Sequence, residues 1–412
     1  MKRNQVWVAV SKTLETVTVT VIVTLMLASG AWAAKYKVLH RFHGRDAAVP
    51  TANLIFDAAG NLYGTTYYGG NQSCSDGCGT VFELSPGTGA AWTVKVLHYF
   101  DGTNGARPYA GVIFDAAGNL YGTTAYGGNQ SCSGGCGTAF ELLPGANGQW
   151  TAKVLQYFDG RHGATPYAGL IFDVVGNLYG AAYRGGKNGY GNVFELIPHA
   201  DGTWTEKGLH SFNHRNGAYP WRSLIFDAAG NLYGTTASGC TYGGTVFKMS
   251  PNQDGGWTEN VLYNGSFLGA QPDGVTFDAS GNLYFTTLQG GPCCNGAYGV
   301  VFWLGHGELY NFTARGDGVR PLAGVIFDTA GNLYGTASGG GTYGQGTIFK
   351  LAPRIGRWHE TTLHNFNGYD GAGPAASLIS DSAGNLYGTT TAGGDLNNCS
   401  GKGCGVVFEI TP

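Results

Sequence analysis

The string Gly-Asn-Leu-Tyr occurs seven times, with its glycines at Gly60, Gly118, Gly176, Gly230, Gly281, Gly331 and Gly384. Successive copies are 58, 58, 54, 51, 50 and 53 residues apart. An aspartate stands three residues before each glycine, at Asp57, Asp115, Asp173, Asp227, Asp278, Asp328 and Asp381. Val-Phe-Glu-Leu or a close variant follows, beginning at Val81, Ala139, Val193, Val246, Val301, Ile348 and Val407. A third string resembling Val-Leu-His-Tyr-Phe begins near Val38, Val96, Val154, Gly208, Val261, Glu308 and Thr362. A period this regular overrides the prior that 412 residues make two or three domains.

Each unit reads as four short strands. In the second unit these are 111–114, 120–124, 138–142 and 153–158, rich in β-branched and aromatic residues and separated by Gly, Asn, Asp and Pro. The apolar runs are nearly continuous, which implies sheets covered on both faces. Stacked blades of a propeller supply that environment. No stretch after residue 34 keeps a 3.6-residue apolar period, and a period near 54 residues is too long for a β-helix rung. The expected fold is all-β: a seven-bladed β-propeller of four-stranded blades in one domain over residues 34–412. Lys35 to Phe42 has fourth-strand character but precedes the first full unit. The last unit stops at its third strand, near Ile410. The count balances if the N-terminal strand completes the last blade and so closes the ring, leaving no open edge there.

Residues 1–33 are of another kind. Lys2, Arg3 and Lys12 precede an apolar stretch from Val17 to Ala28, and Ala31-Trp32-Ala33 has the small-x-small form of a cleavage site. This reads as a secretory signal peptide, its apolar stretch short for a membrane span. Its removal takes away three positive charges and one negative, moving the formal charge from −3 to −5. With 12% charged residues and no basic block, a nucleic-acid partner is not expected. The 72 glycines, against a usual ~7% of residues, fit many tight turns.

The run Leu-Ile-Phe-Asp-Ala-Ala-Gly-Asn-Leu-Tyr-Gly-Thr-Thr, then Gly-Gly, then Gly-Thr-Val-Phe-Glu-Leu is almost whole between Leu54 and Leu84. It resembles the tandem GloVer repeat of bacterial choice-of-anchor exported proteins, across essentially all of residues 35–412. The resemblance implies export and names no reaction. No sorting tail of the anchored members follows Ile410-Thr411-Pro412, so a free secreted or periplasmic monomer, with no membrane span after signal removal, is the expectation.

Nine cysteines in an exported chain point to disulfides. Cys74/Cys78, Cys132/Cys136 and Cys399/Cys404 are close pairs at equivalent places between second and third strands, each able to close its own loop. Cys240 and the vicinal Cys293-Cys294 allow either a bridge between neighbouring blades or a vicinal disulfide. The repeated aspartate reads as a hairpin-turn residue that accepts backbone N–H groups. His40, His98, His210 and His364 lie in outer strands, too far apart around a ring for a shared metal, and are assigned to packing. No metal or cofactor is expected.

The Asp-turn hairpins fall on one face and the long, varied loops on the other, where function is expected. Most inter-blade loops carry Gly-x-x-Pro, and the next residue varies: Thr51, Tyr109, Tyr167, Trp221, Asp273, Leu322 and Ala375. These residues are expected at the channel mouth. Arg107, Arg222 and Arg320 lie beside them in sequence, and Arg184 lies in a neighbouring loop. Aromatic faces beside guanidinium and carboxylate groups suit a sugar ring, so the candidate ligand-binding set is Arg107, Tyr109, Tyr167, Arg184, Trp221, Arg222 and Asp273. Packing of the channel mouth is the competing reading of the same aromatics. The functional expectation is a non-catalytic extracellular binding or scaffold protein, for a glycan or another cell-surface component. The alternative is a secreted lyase- or hydrolase-like propeller enzyme working at the mouth, which needs paired carboxylates or a base with a metal. Asp273 is the one mouth carboxylate.

Overall fold

The computed structural model describes residues 34–239, 243–265, 269–290 and 298–412. Residues 1–33, Cys240, Cys293 and Cys294 lie outside the described residues.

Seven antiparallel sheets follow one another in chain order, each with four strands running outward from a central channel. In blade 1 these strands are Ile55–Phe56, Leu62–Thr66, Thr80–Pro86 and Trp92–Tyr99. Blade 7 combines Ala372–Pro374 and Ile379–Ser380, Leu386–Ala392 and Val406–Thr411 with Lys35–Arg41. Lys35 pairs with Thr411, Tyr36 with Ile410 and Val38 with Phe408, antiparallel. The ring is thus closed by its N-terminal strand, as the strand count requires.

Each blade is held by the same side-chain logic. The second strand is buried along its whole length in blade 1, as expected of a sheet packed between two others. Gly64 faces Phe82 across the sheet, and a Cβ there would lie 2.7 Å from the ring. Blade 5 carries Phe285 at this position, and Phe285 stacks on Phe302 instead, with centroids 5.0 Å apart. The third and outer strands slip register once in every blade, between Val81 and Phe82 in the first. The bulge leaves Leu97 unpaired in the ladder and buried in the core.

The Asp turns repeat atom for atom. Asp57 Oδ1 accepts the N–H groups of Ala59 and Asn61, and Oδ2 accepts Asn61 Nδ2 and the Tyr63 hydroxyl. The equivalent bonds form at Asp115, Asp173, Asp227, Asp278, Asp328 and Asp381. At Asp57, Asp115, Asp227, Asp278, Asp328 and Asp381 burial pushes the carboxyl up, but the hydrogen bonds outweigh it. These carboxyls therefore sit below their ordinary value. Their contribution to stability is lost as pH falls below the ordinary carboxylate range.

Glu206 behaves in the opposite sense. It lies on the outer strand of blade 3 and faces blade 2, where Gln156 Nε2 donates to Oε2 at 2.6 Å. Oε1 is buried without a partner. Burial pushes this carboxyl up to about 7, against the pull of His162 and Gln156. A carboxyl raised on folding binds its proton more tightly in the folded state, so stability falls as pH climbs from about 4.5 through 7. Glu206→Gln should therefore be more stable than the parent at pH 8 by about 2 kcal/mol. The gap should close near pH 4.5; urea midpoints at the two pH values check it.

The inner strands of blades 1, 2, 3 and 6 are shorter than the sequence suggests, 113–114 in blade 2 rather than 111–114, whereas that of blade 5 runs over Ala270–Phe277. The Gly-x-x-Pro loops lead into them. The residue before each proline takes a positive φ: Val49 59°, Arg107 56°, Thr165 54°, Tyr219 62°, Gln271 54°, Arg320 57° and Gly373 62°. This conformation costs a non-glycine residue roughly 1–2 kcal/mol. It aims the backbone N–H at the preceding blade, where Arg107 donates to Cys78 O at 2.6 Å and Thr165 to Cys136 O at 2.8 Å. Val49, Tyr219, Gln271, Arg320 and Gly373 make the corresponding bonds. Past the proline, threonine hydroxyls of the preceding blade take up carbonyls of the chain. Thr65 Oγ1 donates to Ala110 O at 2.8 Å and Thr123 Oγ1 to Ala168 O at 2.9 Å.

The three close cysteine pairs are bonded, Cys74–Cys78, Cys132–Cys136 and Cys399–Cys404. Each supplies a carbonyl to one of these inter-blade bonds, from Cys78, Cys136 and Cys404. The outer-strand histidines pack against phenylalanines, as His98 does on Phe100 at 4.7 Å and His210 on Phe212 at 4.9 Å. Burial holds His40, His98, His210 and His364 below the ordinary imidazole value.

Candidate functional site

Of the residues after the prolines, Thr51, Tyr109, Tyr167 and Trp221 line the central channel, while Asp273, Leu322 and Ala375 are not among its lining residues. Within it lies a cavity of about 260 Å³ lined by all seven blades, from Asn53 and Gly111 round to Ser377. Tyr109, Tyr167, Trp221 and Arg222 contribute to its wall. Thr51, Asp273 and Ala375 are buried, while Tyr109, Tyr167, Trp221 and Leu322 are half-buried.

Arg222 and Asp273 are bound to each other. Arg222 Nε and Nη2 both donate to the Asp273 carboxylate, Nη2 at 3.1 Å, and Nη2 also donates to the carbonyl of Leu322. Gly274 N–H donates to Asp273 Oδ1 at 2.7 Å. The guanidinium lies 5.0 Å from the Trp221 ring and 6.0 Å from that of Tyr109. One arginine of blade 4 thereby touches blades 2, 5 and 6 and spans the channel. Burial raises the Asp273 carboxyl above its ordinary value despite the pull of the Arg222 guanidinium, and Asp273 holds Arg222 above its own despite burial.

The larger feature of this face is one the sequence reading did not assemble. Tyr68, Tyr67, Tyr109, Tyr167, Tyr183 and Tyr219 form a continuous chain of ring contacts, with centroids 4.7, 6.0, 4.9, 5.0 and 5.0 Å apart in order. Tyr190 extends it at 5.9 Å from Tyr219. Tyr126 joins at the side through a 3.2 Å hydroxyl contact with Tyr167. All are half-buried and belong to blades 1–4 or the loops between them. Tyr67, Tyr68, Tyr126 and Tyr183 follow second strands. The signal was there in Thr-Thr-Tyr-Tyr-Gly-Gly at 65–70, Thr-Thr-Ala-Tyr-Gly-Gly at 123–128 and Ala-Ala-Tyr-Arg-Gly-Gly at 181–186. In blades 6 and 7 the same place is held by Ser338-Gly339 and Thr391-Ala392. The face is therefore half aromatic and half small-residue.

Besides Arg222, two arginines of the candidate set meet this arc. The Arg107 guanidinium carbon is 5.2, 5.6 and 5.8 Å from the ring centres of Tyr68, Tyr126 and Tyr67. Arg184 lies 6.0 Å from the Tyr183 ring on an exposed loop. Burial pushes the Tyr67 phenol up to about 12, and it raises Tyr167 and Tyr183 as well. The phenol hydroxyls along the arc can donate and accept hydrogen bonds.

No group of three or more His, Cys, Asp or Glu side chains suited to a metal occurs among the described residues. Among them, too, no helix is long and apolar enough to cross a membrane. With the three disulfides, this is consistent with an extracellular protein.

Solved structures share the fold at low identity. The extracellular domain of a chain assigned as a one-component system from B. thetaiotaomicron matches with TM-score 0.54 and 12% identity, over 92% of this chain and 41% of that one. A chain assigned as a 6-phosphogluconolactonase from Bacteroides uniformis gives 0.49 and 16%, over 75% and 83%. A protein of unknown function from Dyadobacter fermentans gives 0.48 and 10%, over 92% and 100%. No curated protein matches the chain. The repeat described for Gloeobacter and Verrucomicrobia matches residues 22–134, 129–308 and 296–412. With those three matches spanning the whole propeller, the chain belongs to the Gloeobacter/Verrucomicrobia repeat family.

Proposed function

We propose that the protein is an exported, non-catalytic binding propeller that recognises a glycan along the tyrosine arc of its loop-rich face. The observation that carries this reading is the arc itself. Half-buried tyrosines presented side by side on a rigid ring offer flat apolar surface together with hydroxyl groups, the combination a sugar ring requires. Rigidity matters because little ordering then opposes binding. Here the loops are fixed by inter-blade hydrogen bonds at Arg107, Thr165 and Tyr219, and two of those bonds end on disulfide-closed loops. The disulfides and the signal-like residues 1–33 support export. Asp273, the carboxylate that an acid–base reaction at the mouth would call on, is engaged by Arg222, which favours the binder over the enzyme.

Binding to a glycan array should concentrate on one class of polysaccharide. Tyr109→Ala and Tyr183→Ala should each weaken the best hit at least tenfold, while Tyr343→Ala, exposed on blade 6, leaves it unchanged. Turnover of the bound glycan, or binding indifferent to both arc substitutions, would overthrow the reading.

A further inference from the structure

We infer that the glycan read by the tyrosine arc is acidic, its ring carboxylate or sulfate groups gripped by Arg107 and Arg184. The inference rests on the glycan reading and adds the charge of the ligand. Three arginines meet the arc, and one of them shows what the other two lack. Arg222 is neutralised within the fold by Asp273. Arg107 and Arg184 form no ion pair with any carboxylate among the described residues; Arg107 lies over tyrosine rings with the Tyr67 hydroxyl taking one of its five N–H groups, and Arg184 lies beside the Tyr183 ring.

A guanidinium lying over aromatic rings keeps the N–H edge of its plane available, and that edge fits a carboxylate or sulfate through two parallel hydrogen bonds. Both arginines are held in place by their backbones. Arg107 is fixed at φ 56° by its N–H bond to Cys78 O, inside a loop closed by Cys74–Cys78. Arg184 exchanges N–H bonds with Ala164 at 2.9 and 2.8 Å. Burial raises the Tyr67, Tyr167 and Tyr183 phenols, so these three add no negative charge beside the arginines. The chain as a whole is acidic, with a formal charge of −3. A general affinity for polyanions is therefore not expected, and attraction for an acidic ligand is local to this arc.

The test uses matched pairs on the intact protein: oligogalacturonate against its carboxyl-reduced neutral form, and dextran sulfate against dextran. Calorimetry or biolayer binding should show one charged member at least tenfold tighter than its neutral partner. The pair that shows the preference identifies the anion as carboxylate or sulfate. In Arg107→Gln and in Arg184→Gln the preference should fall at least threefold, and in the double variant to near one. Arg107→Lys should keep part of it, since the charge stays and the fork is lost. Arg184 is exposed, so its variant folds whatever becomes of Arg107→Gln, and thermal melts confirm each. Equal affinity for charged and neutral members overturns this inference and leaves the glycan reading standing. A charge preference that survives both substitutions also overturns it. If no sugar binds on the array or here, the glycan reading falls and this inference with it.

Discussion

Deletion of residues 35–42 is expected to abolish cooperative folding of the propeller rather than lower its melting point by a few degrees. The segment is the outer strand of blade 7, and it also ties that blade to both neighbours. Tyr36 stacks on His364 of blade 6 at 3.8 Å with an interplanar angle of 3°, and its hydroxyl donates to Asp370 O at 2.6 Å. Phe42 is wholly buried and meets Phe82 of blade 1 edge-on at 5.2 Å. Leu39 is buried in the same cluster, and Val38 packs into the neighbouring one. Withdrawing these four side chains forfeits burial worth roughly 1.5–3 kcal/mol each, on the order of 8 kcal/mol together. A domain's whole stability is typically about 5–15 kcal/mol. The truncated chain should show no sharp thermal transition by circular dichroism. A transition at the parent's temperature would mean the ring does not depend on this strand.

The second large effect is expected at the channel. Asp273→Ala leaves Arg222 without its counter-charge against Trp221 and Tyr109. Removing one member of a buried ion pair costs about 3–5 kcal/mol, and the 15% exposure of the Arg222 side chain places this site at about 3 kcal/mol. Replacing both, as Arg222→Met with Asp273→Leu, should recover most of the loss, because no buried charge then remains. Urea midpoints of parent, single and double variants give the comparison. A single variant as stable as the parent would mean that water reaches the guanidinium freely and that Arg222 does not span the channel.

The features legible in the sequence are those that recur or lie close together in the chain. Seven copies of one string set the blade count, and a surplus strand at the N-terminus with a strand missing from the last unit located the seam. Asp57 and its six equivalents bond only within six residues of themselves, so a turn motif sufficed to read them. The Cys74–Cys78 bridge is equally local. The contacts that were not legible link one blade to another. Arg222 and Asp273 are 51 residues apart, and nothing local reveals that they bind each other. The tyrosine arc joins residues of four units, and Tyr67, Tyr126 and Tyr183 lie just past second strands, where nothing local shows which rings they meet. The positive φ before each proline is another feature that is not legible. Sequence rules disfavour that conformation for Val49 and Thr165, and inter-blade hydrogen bonds hold it in place.

Hydrogen exchange across the seam tests the closed ring most directly. In the intact protein, amides of 35–41 that pair with 406–411 should exchange as slowly as those pairing 80–86 with 92–99 in blade 1. Exchange of 35–41 at the rate of a free peptide, with blade 1 still protected, would contradict a propeller closed by its N-terminal strand.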